Sequence, residues 1–246
     1  MAVNPTIGNP ERRMTIGIMQ PYFFPYIGYF QLIAQSDAFI FHDDVQYIKG
    51  GWINRNRILR DGAPRWINFP VTGASHTLPI NQRNYQLTRR NVTQILRAIE
   101  SSYRKAPHFK NIFPLLRQII SYDDPNIASF NINLISRLAV HLQINKNFLR
   151  SSELVTENRR CGQERVVHLC QQLGATDYVN PIGGKELYQP KSFKDAGINL
   201  KFLESTPRSY QQFGQITTAN LSIIDVMMFN SQSDIATMLT EYQLIE

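Results

Sequence analysis

Between Met14 and His42 the chain spells an apolar run (MTIGIM), a loop bracketed by prolines (QPYFFP), a helical repeat and a second apolar run (AFIFH). That order leaves few topologies open. Residues 14–19 are short, rich in β-branched side chains and stopped by Gln20-Pro21, which reads as a buried strand. Pro25 suits the first turn of a helix, where a missing N–H costs nothing. Tyr26, Ile27, Phe30 and Ile33 then recur at helical spacing, and 38–42 is a second strand. Strand, helix and strand in close succession predict a right-handed βαβ unit with parallel strands.

Residues 52–60 and 65–71 are strand-like and flank Asp61-Gly62-Ala63-Pro64, so a hairpin is expected after the second strand. Helical stretches follow at 86–104, 109–121 and 126–143. The third has Asp124 as expected N-cap and Pro125 at its first position, and Ile127, Phe130, Leu134, Leu138 and Leu142 form one apolar stripe. Further on, 147–150 is a short strand, 161–173 a helix closed by Gly174, 177–180 a strand ending in a turn at 181–184, and 199–204 another strand. Helices at 220–229, capped by Asn220 or Ser222, and at 233–242 end the chain. The predicted fold is α/β: a mostly parallel sheet with flanking helices, a β-hairpin after the second strand and a helical insertion at 86–143. Residues 1–13 read as a flexible tail and 14–246 as a single domain.

Composition narrows the class. Hydrophobic residues are 43% and charged residues 18% of the 246, which excludes a disordered chain. The two cysteines, Cys161 and Cys170, cannot staple a chain this long and read as free thiols in a reducing cytoplasm. No apolar run is long enough to span a bilayer, and residues 1–13 lack the apolar stretch of a secretory signal. The net charge of +7 favours an anionic partner.

Three segments follow predicted strands, where ligands of parallel sheets bind. The loop 20–25 offers Gln20, Tyr22 and two phenylalanines at a helix N-terminus; Phe23 and Phe24 either hold a planar ligand or cap the core. Segment 42–57 carries Asp43 and Asp44, which are read as base, amine ligand or divalent-cation ligand, with Asp43 favoured; the alternative is a solvated polar face. It also carries Gln46, and Lys49, Arg55 and Arg57 for phosphate. Along a strand Arg55 and Arg57 share one face and Asn54 and Asn56 the other. Segment 180–188 carries Gly183 and Gly184, which permit close backbone approach, and Lys185. His42 reads as structural. Cys170 reads as core, since His168 lies two positions away and faces elsewhere on the helix. No zinc spacing, P-loop, G-x-G-x-x-G, G-x-S-x-G or H-E-x-x-H occurs, and no metal is expected.

At these residues the chain resembles a known family. IMQPYFFPYIGYFQLI (18–33) is similar to the opening motif of WbqC-like proteins, Q-P-x-Y/F-x-P-x-x-G-Y-F. The likeness continues through DDVQYIKGGWINRNRI (43–58), YRKAPHF (103–109), LCQQLGATDYVNP (169–181) and NLSIIDVMMFN (220–230). One departure stands at 180–188: the family tends toward Ser-Gly after the strand, where this chain has Asn180-Pro181-Ile182-Gly183-Gly184, with Tyr188 retained. The resemblance implies a component of O-antigen or other surface-polysaccharide synthesis. It implies an acyl or aminoacyl (glycine-type) transferase forming an amide on a nucleotide-linked amino sugar; the positive charge suits a nucleotide sugar and equally an aminoacyl-tRNA donor, with a thioester donor as the other option. It adds Tyr188, Asn220, Ser222 and Asp225 to the substrate-binding residues and names no cofactor. Two alternatives stand beside it. One is a nucleotidylyltransferase-like nucleotide-binding enzyme, by fold analogy, although Tyr26-Ile27-Gly28-Tyr29 replaces its His-x-Gly-His. The other is a non-catalytic sugar-nucleotide-binding subunit.

Overall fold

The apolar run at the start of the chain becomes β1 (Thr15–Met19), from which the rest of the sheet is built outward. The structure, a computed structural model, describes residues 13–73, 77–154, 161–214 and 217–246. The expected N-terminal tail lies outside these, apart from Arg13. After β1 come α1 (Ile27–Gln35) and β2 (Ala38–Phe41), then a two-stranded ribbon of β3 (Arg55–Arg60) and β4 (Ala63–Asn68). The helical stretch follows as α2 (Arg89–Tyr103), α3 (Phe109–Ile120) and α4 (Ile127–His141). The chain returns to the sheet with β5 (Asn147–Arg150), α5 (Ser151–Leu154), α6 (Gly162–Gln172), β6 (Asp177–Pro181), α7 (Pro190–Asp195) and β7 (Asn199–Ser205). It ends with α8 (Ile223–Phe229), α9 (Gln232–Met238) and β8 (Tyr242–Ile245).

The main sheet runs β5-β2-β1-β6-β7-β8, parallel throughout except for β8, which pairs antiparallel with β7. Chain order moves outward from β1 in one direction through β2 and β5. It then crosses back to β6 on the other side of β1. The sheet therefore has a reversal point between β1 and β6, the place where open parallel sheets bind ligands. Side-chain alternation explains the two cores. Phe39, Phe41, Val179 and Leu203 pack with α1 and the helices α2–α4, α8 and α9. Ile16, Ile18, Ile40 and Tyr178 pack with Val166, Leu169 and Cys170 of α6 and Phe193 of α7. Helix α1 is buried almost all round, as its apolar composition demands.

Four details differ from the sequence reading. The hairpin turn is two residues, Asp61 and Gly62, both with positive φ (52° and 72°). Such a turn matches the twist of the strands, and Pro64 is tolerated because β4 is an edge strand. The third insertion helix is capped by Asn126, whose side chain accepts from Ser129 N–H at 3.1 Å; Asp124 instead accepts from Asn126 N–H at 2.9 Å. Helix α7 was hidden by its shortness. The last helix stops at Met238, and 242–245 form β8, because β7 offers an open edge to pair with.

Candidate functional site

The loop 20–25 is held almost atom by atom. Five of its carbonyls accept from donors elsewhere in the chain, as polar groups withdrawn from water require. Tyr29 OH donates to the Gln20 carbonyl at 2.9 Å, and Asn131 of α4 donates to that of Pro21 at 2.8 Å. Asn56 of β3 donates to those of Phe23 and Phe24 at 3.2 and 2.7 Å, and Ser222 Oγ donates to Phe24 as well, at 2.8 Å. Ile223 N–H donates to Pro25 at 2.9 Å. Phe24 sits at φ 43°, in the left-handed region that a bulky side chain avoids. Such strain persists only where the surroundings over-determine it. Phe23 and Phe24 are fully buried, so they are core plugs rather than ligand contacts.

This loop borders a cavity of about 860 Å³ at the carboxyl ends of β1, β2 and β6. Gln20, Tyr22 and Tyr26 line it from the first loop, and His42 lines it from the end of β2. Asn180, Gly183, Gly184 and Tyr188 line it from β6 and the 3-10 turn Ile182–Leu187, and Gly162 and Gln163 from the start of α6. Two glycines permit close packing here. A Cβ on Gly28 would lie 2.4 Å from the Tyr26 ring, so the ring rests directly on α1. A Cβ on Gly184 would lie 2.2 Å from Asn180 Oδ1. Asn180 is in turn fixed by donating to Tyr178 OH at 2.6 Å, and Tyr178 OH lies 3.1 Å from Tyr188 OH.

The site's electrostatics follow from burial. Burial pushes the His42 imidazole down to about 4, aided by Arg165 and opposed by Asp44 and Asp43, so it is neutral at pH 7. Its Nε2 is buried and has no hydrogen-bond partner. Burial pushes the Tyr22 phenol up to about 12. Arg57 lines the same cavity, donates to the Asn220 carbonyl at 3.4 Å and keeps a buried Nε unpartnered. Cys161, the N-cap of α6, makes no side-chain cap bond, which leaves the first N–H groups of that helix without a capping side chain.

A family model described as the WbqC-like protein family matches residues 20–237. The chain belongs to this family. It is also 30% identical over 224 residues to the uncharacterized protein Rv1507c of Mycobacterium tuberculosis, covering 87% of this chain and 93% of that one. No solved structure matches.

The WbqC-like segments 18–33, 43–58, 169–181 and 220–230 each contribute to the cavity wall, whereas 103–109 does not, and not every residue singled out faces the cavity. Gln20, Tyr22, Asn56, Arg57, Gly183, Gly184, Tyr188 and Asn220 do. Asp43 and Asp44 do not. Asp43 is 1% exposed and accepts from Ser151 Oγ, Ser152 N–H and Ser152 Oγ at 3.2, 3.0 and 2.8 Å. Asp44 accepts from Ser151 Oγ and pairs with Arg165 of α6. Neither carboxylate is bonded to Lys49, Arg55 or Arg57, with which it shares the segment. The acidic pair docks α5 and α6 instead.

Asn54 donates to the Phe69 carbonyl at 3.0 Å and accepts from Tyr47 OH at 2.9 Å, so its amide is satisfied within the protein, as is that of Asn56. Gln46 and Lys49 are exposed and off the cavity wall. Lys185 turns away to the Glu246 carbonyl at 3.0 Å. Ser222 caps α8 and clamps the first loop. Asp225 is buried behind it, accepting from Tyr103 OH and Tyr210 OH at 2.7 Å and from Gln212 Nε2 at 2.6 Å. Burial raises its carboxyl above the usual range, against the pull of those three bonds.

His42 is the residue that sequence reasoning set aside. The signal was available, since it ends β2 on the same sheet edge as Gln20. Among the described residues no group of three or more His, Cys, Asp or Glu could hold a metal, and no helix is long and apolar enough to cross a membrane.

Proposed function

We propose that this WbqC-like protein is an acyl or aminoacyl transferase that forms an amide on a nucleotide-linked amino sugar, in O-antigen or other surface-polysaccharide synthesis. The observation that carries the reading is the cavity at the reversal point of the sheet. Its volume lies within the range of small-ligand sites, and its lining of aromatic rings, amides and one neutral imidazole suits a sugar. Arg57 and the start of α6 supply positive potential for the phosphates. A smaller recess of about 280 Å³ shares Tyr26 and Asn220 with the first, which gives a donor a place beside an acceptor.

In the reaction the sugar nitrogen attacks the acyl carbonyl carbon, a C–N bond forms and the donor's ester or thioester bond breaks. A proton must leave the nitrogen and one must reach the departing oxygen or sulfur; we assign His42, on the cavity wall, as the relay between them. Asn180 and Tyr188 orient the sugar, and Asp43 and Asp44 hold α5 and α6 in register. The test is mass spectrometry of the surface glycan with and without the protein, joined to calorimetry with a nucleotide-linked amino sugar. A lost acyl increment together with binding is expected; an unchanged glycan overturns the reading.

The strand order also favours a second reading, a nucleotidylyltransferase-like enzyme, which would release pyrophosphate from a nucleoside triphosphate. Binding of a sugar nucleotide with no turnover of any donor would mark a non-catalytic subunit.

A further inference from the structure

The ribbon β3–β4 turns Asn56, Ile58 and Ile67 into the protein. Its other face is buried at Leu59, but nearer the cavity it carries Arg55, Arg57 and Trp66, which are half-buried or exposed. On that face Arg57 stands directly across from Trp66. Trp66 is 47% exposed, and Trp52, at the mouth of the cavity, is 38% exposed. Their rings are 5.4 Å apart. The Arg55 guanidinium lies 4.2 Å from the Trp66 ring centroid and is pinned by its Nε donating to the Gly51 carbonyl at 3.2 Å. The Arg57 guanidinium lies 5.6 Å from Trp52 and 5.9 Å from Trp66. Ile48, also exposed, lines the same mouth.

Cation–π pairing alone accounts for arginines over tryptophans at an exposed site, at a modest gain in stability. It does not account for two large rings turned to solvent beside a cavity, where polar side chains would serve an edge ribbon better. Exposed rings interleaved with guanidinium groups attract a flat, π-faced group attached to negative charge, as in nucleic-acid stacking sites.

We propose that Trp52, Trp66 and Arg55 form a stacking platform for an unpaired nucleobase, with Arg57 receiving the phosphate that leads from that base into the cavity. This rests on the nucleotide-sugar reading for the ligand inside the cavity. The shared chemistry is a base followed by phosphate. It has two sources: the nucleoside diphosphate of the acceptor, or the single-stranded end of an RNA-borne donor.

The chain contains two tryptophans, and both belong to the platform. Intrinsic tryptophan emission therefore reports this face, with Trp52 also sensing the cavity mouth, and the Trp66→Ala variant separates the two contributions. Emission is titrated with uridine diphosphate, with a short single-stranded RNA ending in unpaired bases, and with inorganic pyrophosphate, which has no base. Saturable quenching by either base-bearing ligand and none by pyrophosphate is expected. Stronger quenching by the diphosphate assigns the acceptor, and stronger quenching by the RNA assigns the donor. Trp66→Ala, with Arg55→Gln as a second variant, should weaken that binding by about 10- to 100-fold in calorimetry. Arg65→Ala, on the same strand but the opposite face, should leave it unchanged. Absence of saturable quenching, or diphosphate and RNA affinities in both platform variants equal to wild type, overturns the platform. If the sugar nucleotide still binds in that case, the functional reading survives. If RNA quenches but no sugar nucleotide binds, the platform stands and the functional reading fails.

Discussion

Asn56 Nδ2 lies 2.7 Å from the carbonyl oxygen of Phe24, so a strand of the hairpin fixes the one residue of the first loop held in left-handed backbone. The contact ties the cavity's wall to the ribbon β3–β4, whose Arg57 carbonyl also accepts from Ser222 N–H at 2.9 Å.

Asn56→Ala should therefore cost about 2–3 kcal/mol, because it leaves the Phe23 carbonyl without its side-chain donor and Phe24 with Ser222 alone. Asn56→Asp keeps the shape but sets a second oxygen against the carbonyls, so it should be no better. Urea midpoints falling at constant slope would record the loss, and ligand affinity should fall with it.

The paired glycines should behave unequally. Nothing lies within 4 Å of a Cβ built on Gly183, whereas one on Gly184 meets Asn180 Oδ1. Gly183→Ala should leave the melting temperature unchanged. Gly184→Ala should turn Asn180 off Tyr178 and cost about 1–3 kcal/mol, with weaker ligand binding. Equal behaviour of the two in thermal melts and calorimetry would count against this packing.

His42 makes folding pH-dependent. Its unfolded value is 6.5 and its folded value is about 4. Below 6.5 the unfolded chain gains a proton that the native site refuses. The stability it contributes is thus complete above pH 6.5 and is lost as pH falls toward 4, by up to roughly 3 kcal/mol. His42→Gln should flatten that segment of the stability curve. Denaturant melts at pH 7.5, 5.5 and 4.5 on both proteins would show whether it does.

Cys170 is fully buried, and burial pushes its thiol up to about 12, whereas Cys161 is exposed. One thiol should react with a disulfide reagent in the native protein and two after denaturation. Cys170→Ala should cost about 1–2 kcal/mol and leave activity intact. An acyl adduct on Cys170 would reverse the assignment.

Asp43→Asn should act on stability before kinetics, by about 1–3 kcal/mol, since the buried carboxylate accepts three bonds around Ser151 and Ser152. A folded variant with normal melting and a turnover reduced 100-fold or more would restore a catalytic role.

Periodicity made the sheet and most helices legible, because β1, β2 and the stripe from Ile127 to Leu142 encode their burial locally. The Tyr242–Ile245 strand did not show, since its pairing depends on an edge that only the folded β7 presents. The cavity's position could be read from the loops that follow strands. The roles of Asp43, Asn54, Asn56 and Asp225 could not. A polar side chain in a loop looks the same whether it faces a ligand or a buried carbonyl, and partners such as Ser151, 108 positions from Asp43, are set by tertiary structure alone.

The two strands that meet at the reversal point come from distant parts of the chain: Met14 and Thr176, bonded to each other beside them, are 162 positions apart. Closing so long a loop is slow compared with forming the neighbouring βαβ unit. During synthesis the first loop, α1 and β2 emerge long before β6, so a nascent chain carries only part of the cavity wall and should bind the proposed ligand weakly. Ligand binding is then a measure of completed folding, and substrate present during refolding should trap the finished molecule without hastening its earliest steps.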